Sequence, residues 1–341
     1  MADTFAPEEL EEKMLLAVAE AAKARVQAPP NPWVGAVVET ADGLVMGHTQ
    51  SPGGSHAEID ALERAGSKAV GSTLYVTLEP CSHHGRTPPC AQAIVKAGVK
   101  RVVVSLVDPD YRVRGQGIEY LQNHKVEVKV GVAADAVRNQ LAPYLKHRAT
   151  GLPWVVLKLA TTLDGRIASS DGTSNWITGE VARNRVQVLR SESDAIVVGS
   201  NTVRIDDPQL TVRIPGNSHS PRRIVFGAIP SGAGVTPAEE WTGSPAELLE
   251  VLGKEDILQV LVEGGAHLAK SFLEADLIDQ FVFHIAPALH GGEDGISAFS
   301  GRGSASVADL TRLEAKSVQS LGNDVEIEAW SLRASKLIKS L

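Results

Sequence analysis

His56-Ala57-Glu58, followed by Pro80-Cys81-Ser82-His83-His84-Gly85-Arg86-Thr87-Pro88-Pro89-Cys90, is the stretch around which this 341-residue sequence is organised. Cys81 and Cys90 are its only two cysteines, and both fall in one loop with a histidine and a glutamate upstream. Two thiolates and a neutral imidazole balance the charge of Zn²⁺ and leave a fourth tetrahedral position for a water, whose acidity the metal raises. Glu58 then reads as a proton carrier rather than a ligand. The competing readings are a disulfide and two ordinary buried thiols. The combination of both cysteines with His56 and Glu58 favours the metal. His83 and His84 read as solvated or substrate-facing, since three ligands complete a catalytic shell.

Glu58 to Glu63 and Ala91 to Lys96 look like first helical turns, which puts His56 and Cys90 at positive N-terminal ends that favour thiolate. Pro88-Pro89 suits such a start. Residues two apart on a helix point nearly opposite ways, so His56 and Glu58 share one metal only if His56 lies in the cap. Zinc-dependent base deaminases carry His-x-Glu and then Pro-Cys-x-x-Cys. Here eight residues separate the cysteines instead of two. With that long spacing, His56-Ala57-Glu58 and the run from Glu79 to Cys90 resemble the deaminase half of the bifunctional riboflavin-biosynthesis deaminase-reductases. The resemblance implies a cytidine-deaminase-like three-layer N-terminal domain acting on a pyrimidine ribosyl phosphate. His56, Cys81 and Cys90 would be zinc ligands, Glu58 catalytic, and Asn31 part of the pocket. Read alone, Asn31 is a turn residue between Pro30 and Pro32.

Outward from this loop, residues 7 to 27 pattern as an amphipathic helix with Leu10, Met14, Leu15 and Val18 toward the core. A strand through Gly35 to Val38 turns at Ala41-Asp42-Gly43 and returns through Leu44 to Gly47. Strands at 72–77, 101–107 and 126–130 alternate with helices at 117–124 and 133–147, an α/β pattern of three layers. Asp108-Pro109-Asp110 follows a strand's carboxyl end, where such folds bind ligands, and equally suits a turn. The glycine- and proline-bearing stretch from Arg148 to Pro153 divides residues 1–149 from 150–341.

The second half lacks a Gly-x-Gly-x-x-Gly fingerprint. It has two glycine-bearing strand-to-helix joints, Ala195 to Thr202 and Val260 to His267, that suit a cofactor pyrophosphate. Polar runs surround them: Lys158 to Ala168, Ser174 to Thr178, and Thr202 to Arg213. These resemble the reductase half of the same family, with a dihydrofolate-reductase-like fold. The resemblance implies that Ala160, Trp176, Thr202, Asp206, Gly264 and Gly265 contact NADPH. Ser174, Arg190, Leu210, Arg213 and Glu263 would hold the substrate, with Lys158 at the reacting centre. Trp176 also reads as a packing residue.

One departure stands out. After Arg222 to Phe226 the family has a further strand with a cofactor-facing threonine, which here is shortened or missing, and the family's aspartate is Gly227. An active zinc deaminase with a scaffold-only reductase half is therefore the alternative. The formal charge of −8 argues against a nucleic-acid surface. An acidic N-terminus and the lack of a long apolar run point to a cytoplasmic protein without a membrane span. Asp279 to Phe283 reads equally as the interface strand of a homo-oligomer or as a core strand.

Overall fold

The computed structural model describes residues 6–82, 89–175, 177–217 and 219–341. Its two compact units part between Thr150 and Gly151, the chain's end from Ile338 grouping with the first. Among the described residues no helix is long and apolar enough to cross a membrane.

In the first unit the chain runs through α1 (Pro7–Ala22), β1 (Gly35–Thr40), β2 (Gly43–His48), α2 (Ala57–Ala65), β3 (Thr73–Leu78), α3 (Cys90–Lys96), β4 (Arg101–Leu106), α4 (Gln116–Asn123), β5 (Glu127–Val130) and α5 (Ala134–Thr150). Pro7 at the start of α1 and Glu8 and Glu9 in its first turn fit the helix's positive end. Its buried stripe is Leu10, Met14, Ala17 and Ala21. Leu15, expected in the core, is 45% exposed because it lies about 140° round the helix from Leu10. Val18 is only half-buried.

The five strands are ordered β2-β1-β3-β4-β5, with β1 antiparallel to both neighbours and β3, β4 and β5 parallel. Gly35 pairs with His48 and Ala36 with Gly47, so Gly35 and Gly47 face opposite sides of the sheet. A Cβ on Gly35 would lie 1.9 Å from the Ala17 carbonyl oxygen, and one on Gly47 would lie 2.4 Å from the Ala61 nitrogen. These two close approaches let α1 and α2 pack on opposite faces. Gly35→Ala is expected to destabilise the first unit by about 1–3 kcal/mol through overpacking, read as a lower urea midpoint at unchanged slope.

The second unit contains β6 (Trp154–Thr162), β7 (Arg166–Ala168), α6 (Glu180–Ser191), β8 (Ala195–Gly199), α7 (Ser200–Asp206), β9 (Arg222–Phe226), β10 (Glu239–Trp241), α8 (Pro245–Lys254), β11 (Gln259–Val262), α9 (Ala266–Glu274), β12 (Gln280–Ala286), β13 (Ile296–Ser297), β14 (Leu313–Leu321) and β15 (Asp324–Ser331). A last helix, α10 (Leu332–Lys339), follows. The large sheet is ordered β10-β9-β8-β11-β6-β12-β15-β14, parallel from β10 to β12 and antiparallel beyond, while β7 and β13 pair separately.

Two open readings are settled by this order. The strand after β9 is present but only three residues long. Most of Asp279 to Phe283 falls in β12, between β6 and β15, with Phe281 and Val282 buried, so it is a core strand. Along β6, Val155, Leu157 and Leu159 enter an apolar cluster with Leu248, Leu252, Phe272 and Phe281. Alternation therefore turns Lys158 and Ala160 to the other face.

Candidate active sites

His56 is the N-cap of α2, with φ −72° and ψ 162°, and Cys90 is the first residue of α3. The cap position frees the His56 ring from the helix face and turns its Nδ1 to the thiols. It lies 3.3 Å from Cys90 Sγ and 3.7 Å from Cys81 Sγ, and all three candidate ligand atoms fall within 4.8 Å of one another. Tetrahedral zinc with ordinary bond lengths separates a sulfur from a nitrogen ligand by about 3.6 Å, so the cluster fits the ion. The Cys90 backbone N–H, at the start of α3, donates to Cys81 Sγ at 3.4 Å. A hydrogen bond from Cys90 pulls the Cys81 thiol well below its usual range, against burial and with help from His56, whereas the shared proton and burial hold Cys90 up. Both cysteines are free of a disulfide.

Glu58 lies one residue inside α2 and is 4% exposed. Burial, reinforced by Cys81 and opposed by His56, pushes its carboxyl up to about 7. His56, Cys81 and Cys90 all act on the charge state of this carboxyl, which places Glu58 beside the cluster. A buried carboxyl that titrates near neutrality is suited to taking and giving a proton.

Sequence reasoning gave no role to Glu79, which organises the loops around the cysteines. Its carboxylate accepts from the backbone N–H groups of Asp108, Gly115, Gly117 and Ile118, at 3.3, 2.9, 2.9 and 3.3 Å. A Cβ on Gly117 would lie 1.8 Å from the Pro80 carbonyl oxygen, so glycine is needed for Pro80-Cys81 to pass. Gly117→Ala is expected to weaken zinc binding by about 10–100-fold, as measured by competition with a chelator. Asp108 is buried, accepts from Tyr144 Oη and the Asp110 backbone N–H, and is pushed up to about 6 chiefly by burial. Asn31 closes a turn, its backbone N–H donating to the Ala28 carbonyl at 2.9 Å. His83 and His84 lie outside the described residues.

In the second unit a cavity of about 330 Å³ opens at the ends of β6, β8 and β11. Lys158 lines it, as do Ala160, Thr202, Asp206, Gly264 and Gly265 of the expected cofactor residues and Ser174 and Glu263 of the expected substrate residues. Gly264 has φ +79°, a conformation that favours glycine, and the Gly265 N–H donates to Thr202 Oγ1 at 3.1 Å. Ser174 Oγ donates to Asp206 at 2.7 Å. The two residues thus link the loop after β7 to the end of α7.

Arg190 is not a free fork toward the cavity. It clasps Glu263 at 2.6 and 2.8 Å and donates to the Thr211 carbonyl at 3.3 Å. Leu210, buried with φ +52°, and the exposed Arg213 do not line the cavity. Trp176 lies outside the described residues. An apolar wall of Ile167, Ile177, Ile205 and Ile296 was not foreseen, because it joins residues far apart in sequence. Burial pulls the Lys158 amine down to about 8, with Glu263 opposing and Arg190 assisting.

Residues 7–106 match the family model of the cytidine and deoxycytidylate deaminase zinc-binding region, and residues 153–327 match that of the RibD C-terminal domain. The riboflavin biosynthesis protein RibD of Bacillus amyloliquefaciens is 37% identical over 351 residues, spanning 93% of this chain and 95% of the relative. The chain belongs to the RibD family. RibD of Acinetobacter baumannii, at 36% identity, superposes with a TM-score of 0.89 over 96% of this chain and 99% of that one. A Thermotoga maritima diaminohydroxyphosphoribosylaminopyrimidine deaminase and 5-amino-6-(5-phosphoribosylamino)uracil reductase, 32% identical, does so with a TM-score of 0.86 over 95% and 99%. Like other RibD proteins, this one is a bifunctional riboflavin-biosynthesis enzyme, pairing a zinc-dependent deaminase with an NADPH-dependent reductase. The expected cytidine-deaminase-like and reductase folds are both present. With the reductase half matched along its length, a scaffold-only role for it is not favoured.

Proposed function

We propose that residues 1–149 deaminate a diaminopyrimidinone ribosyl phosphate and that residues 150–341 then reduce its ribosyl group to ribityl. The observation that carries the first assignment is the meeting of His56, Cys81 and Cys90 within 4.8 Å beside buried Glu58. These three residues would hold zinc, which when bound acts as a Lewis acid that acidifies a water. Glu58 accepts a proton, delivers it to the ring nitrogen beside the amino-bearing carbon, and later protonates the departing amine. The balance is water in and ammonia out. Glu79 keeps the surrounding loops fixed while this happens, and Asn31 is assigned to the pocket.

For the reduction, NADPH, when bound, would supply the hydride for the sugar carbon. As the ring carbon–oxygen bond breaks, Lys158 gives a proton to the oxygen that keeps the electron pair. The Gly264-Gly265 turn, with Ala160, Trp176, Thr202 and Asp206, is assigned to the cofactor. Ser174 and Glu263 are assigned to the sugar phosphate, with Arg190 orienting Glu263 and with Leu210 and Arg213 nearby in sequence. Only the protonated amine can donate, and burial sets its pKa at about 8. Reduction should therefore be independent of pH below that value and fall about tenfold per unit above it, as read from NADPH-oxidation rates.

The charge of −8 supports a small-molecule substrate rather than nucleic acid, and reduced zinc-site thiols suit the cytoplasm. The direct test supplies zinc-loaded protein with the diaminopyrimidinone phosphate and no nicotinamide. Stoichiometric ammonia release supports the reading; no ammonia at any zinc loading refutes it.

A further inference from the structure

The sheet face that carries Lys158 also holds a buried polar group that neither reaction step uses. His284 of β12 pairs with Ala160, two residues along β6 from Lys158 and on the same face. Glu326 pairs with His284, and Gln319 pairs with Glu326. His284 and Glu326 are both 0% exposed, and Nε2 of the one lies 2.8 Å from Oε2 of the other. Arg185 of α6 places Nε 3.2 Å from the same carboxylate, and Gln319 donates to it as well. An ionised Glu326 requires a hydrogen on His284 Nε2, which leaves Nδ1 as a lone-pair acceptor. That Nδ1 is buried and has no partner among the described residues. Lys158, diagonally across the strands, makes no hydrogen bond or ion pair among the described residues. A buried acceptor without a donor and an ammonium without an acceptor thus lie diagonally on one face of two neighbouring strands, an arrangement that folded proteins rarely leave unused.

We infer that His284, oriented by Glu326, is a positioning residue for Lys158: its Nδ1 accepts a hydrogen bond from the ammonium and aims another N–H at the sugar oxygen. The inference rests on the reading of Lys158 as proton donor. Electrostatics on this face agree with it. Burial lowers the Lys158 pKa, Glu263 and Glu326 oppose, and Arg190 assists. Burial and Lys158 together keep His284 neutral against the pull of Glu326, which is what an acceptor requires. Although burial raises the Glu326 carboxyl, His284 and Arg185 hold it down to about 2, so it stays charged. Glu328, opposite Val282, is raised chiefly by burial, and beyond it on this face Lys316 sits over the Trp330 ring and pairs with Glu314.

The test is the pH profile of NADPH oxidation by the full-length protein, with ammonia release and melting temperature followed alongside. His284→Phe should move the alkaline limb of kcat down by about one pH unit, because the ammonium loses its acceptor, with KM for NADPH unchanged. His284→Gln, whose amide oxygen can accept, should restore most of that shift. If His284→Phe does not fold, His284→Leu, which likewise lacks an acceptor, should give the same downward shift, again reversed by His284→Gln. A limb that stays near its original pH while rates fall, or that moves upward, overturns the inference and leaves His284 a structural residue. Lys158→Met separates the two levels. Abolished reduction with unmoved limbs in the His284 variants sinks the inference alone. Intact reduction in Lys158→Met sinks the proton-donor reading and this inference with it.

Discussion

Glu58→Gln should release ammonia about 10³-fold more slowly than the parent enzyme while keeping a full complement of zinc. Glutamine matches glutamate in size and can occupy the same buried position at the start of α2. It removes the ionisable carboxyl, and with it the ability to take up and release a proton. The metal cluster is His56, Cys81 and Cys90, none of which depends on Glu58 for its place: the cap of α2 holds the first, the start of α3 the last, and the α3 N–H steadies Cys81. Replacing a carboxyl that burial pushes up to about 7 also removes a group that was costly to ionise, so stability should not fall. Metal content by atomic absorption and ammonia by a coupled assay read the two effects separately. Zinc lost together with activity would make Glu58 a structural support of the cluster instead of its proton carrier.

Lys158→Met should slow reduction by about 10²–10³-fold and leave ammonia release unchanged. Methionine keeps most of the unbranched stem and deletes the charge. Lys158 lines the cavity, and its burial draws the amine down to about 8, while Glu263 is already satisfied by Arg190. Removing the ammonium thus leaves no buried carboxylate newly unpaired, and the melting temperature should hold or rise. A fall in NADPH affinity with unchanged kcat would instead place Lys158 in cofactor binding.

The zinc site was readable from the sequence because its parts are local. His56 and Glu58 are two residues apart at a helix start, and the only cysteines flank one loop. Helix caps are local chemistry, so the placement of His56 in the cap and Cys90 at a helix start followed from spacing alone. The roles in the cavity came by resemblance, and the structure shows which of those residues share a wall. What stayed hidden depends on long-range register. That Arg190 is occupied by Glu263, 73 residues away, cannot be read from either residue's neighbours. The same holds for His284 and Glu326, which meet only because β12 and β15 pair in one register. Their one local trace is a charged or imidazole side chain at strand positions that otherwise alternate into a core. Glu79 was hidden for a different reason: its partners are backbone N–H groups, which any residue supplies, so no side-chain pattern marks them. Leu15 fell outside the core because a stretch rich in apolar residues can be phased in more than one way until its partner sheet is known.

That one chain performs both steps in sequence is tested most directly by a single time course. Zinc-loaded protein is supplied with the diaminopyrimidinone phosphate and NADPH, and ammonia and nicotinamide absorbance are recorded together. Ammonia release followed by an equal amount of NADPH oxidation is the expected result. Ammonia without NADPH oxidation would contradict it, showing that the three-residue β10 and the segment around Gly227 leave the second site unable to reduce what the first one makes.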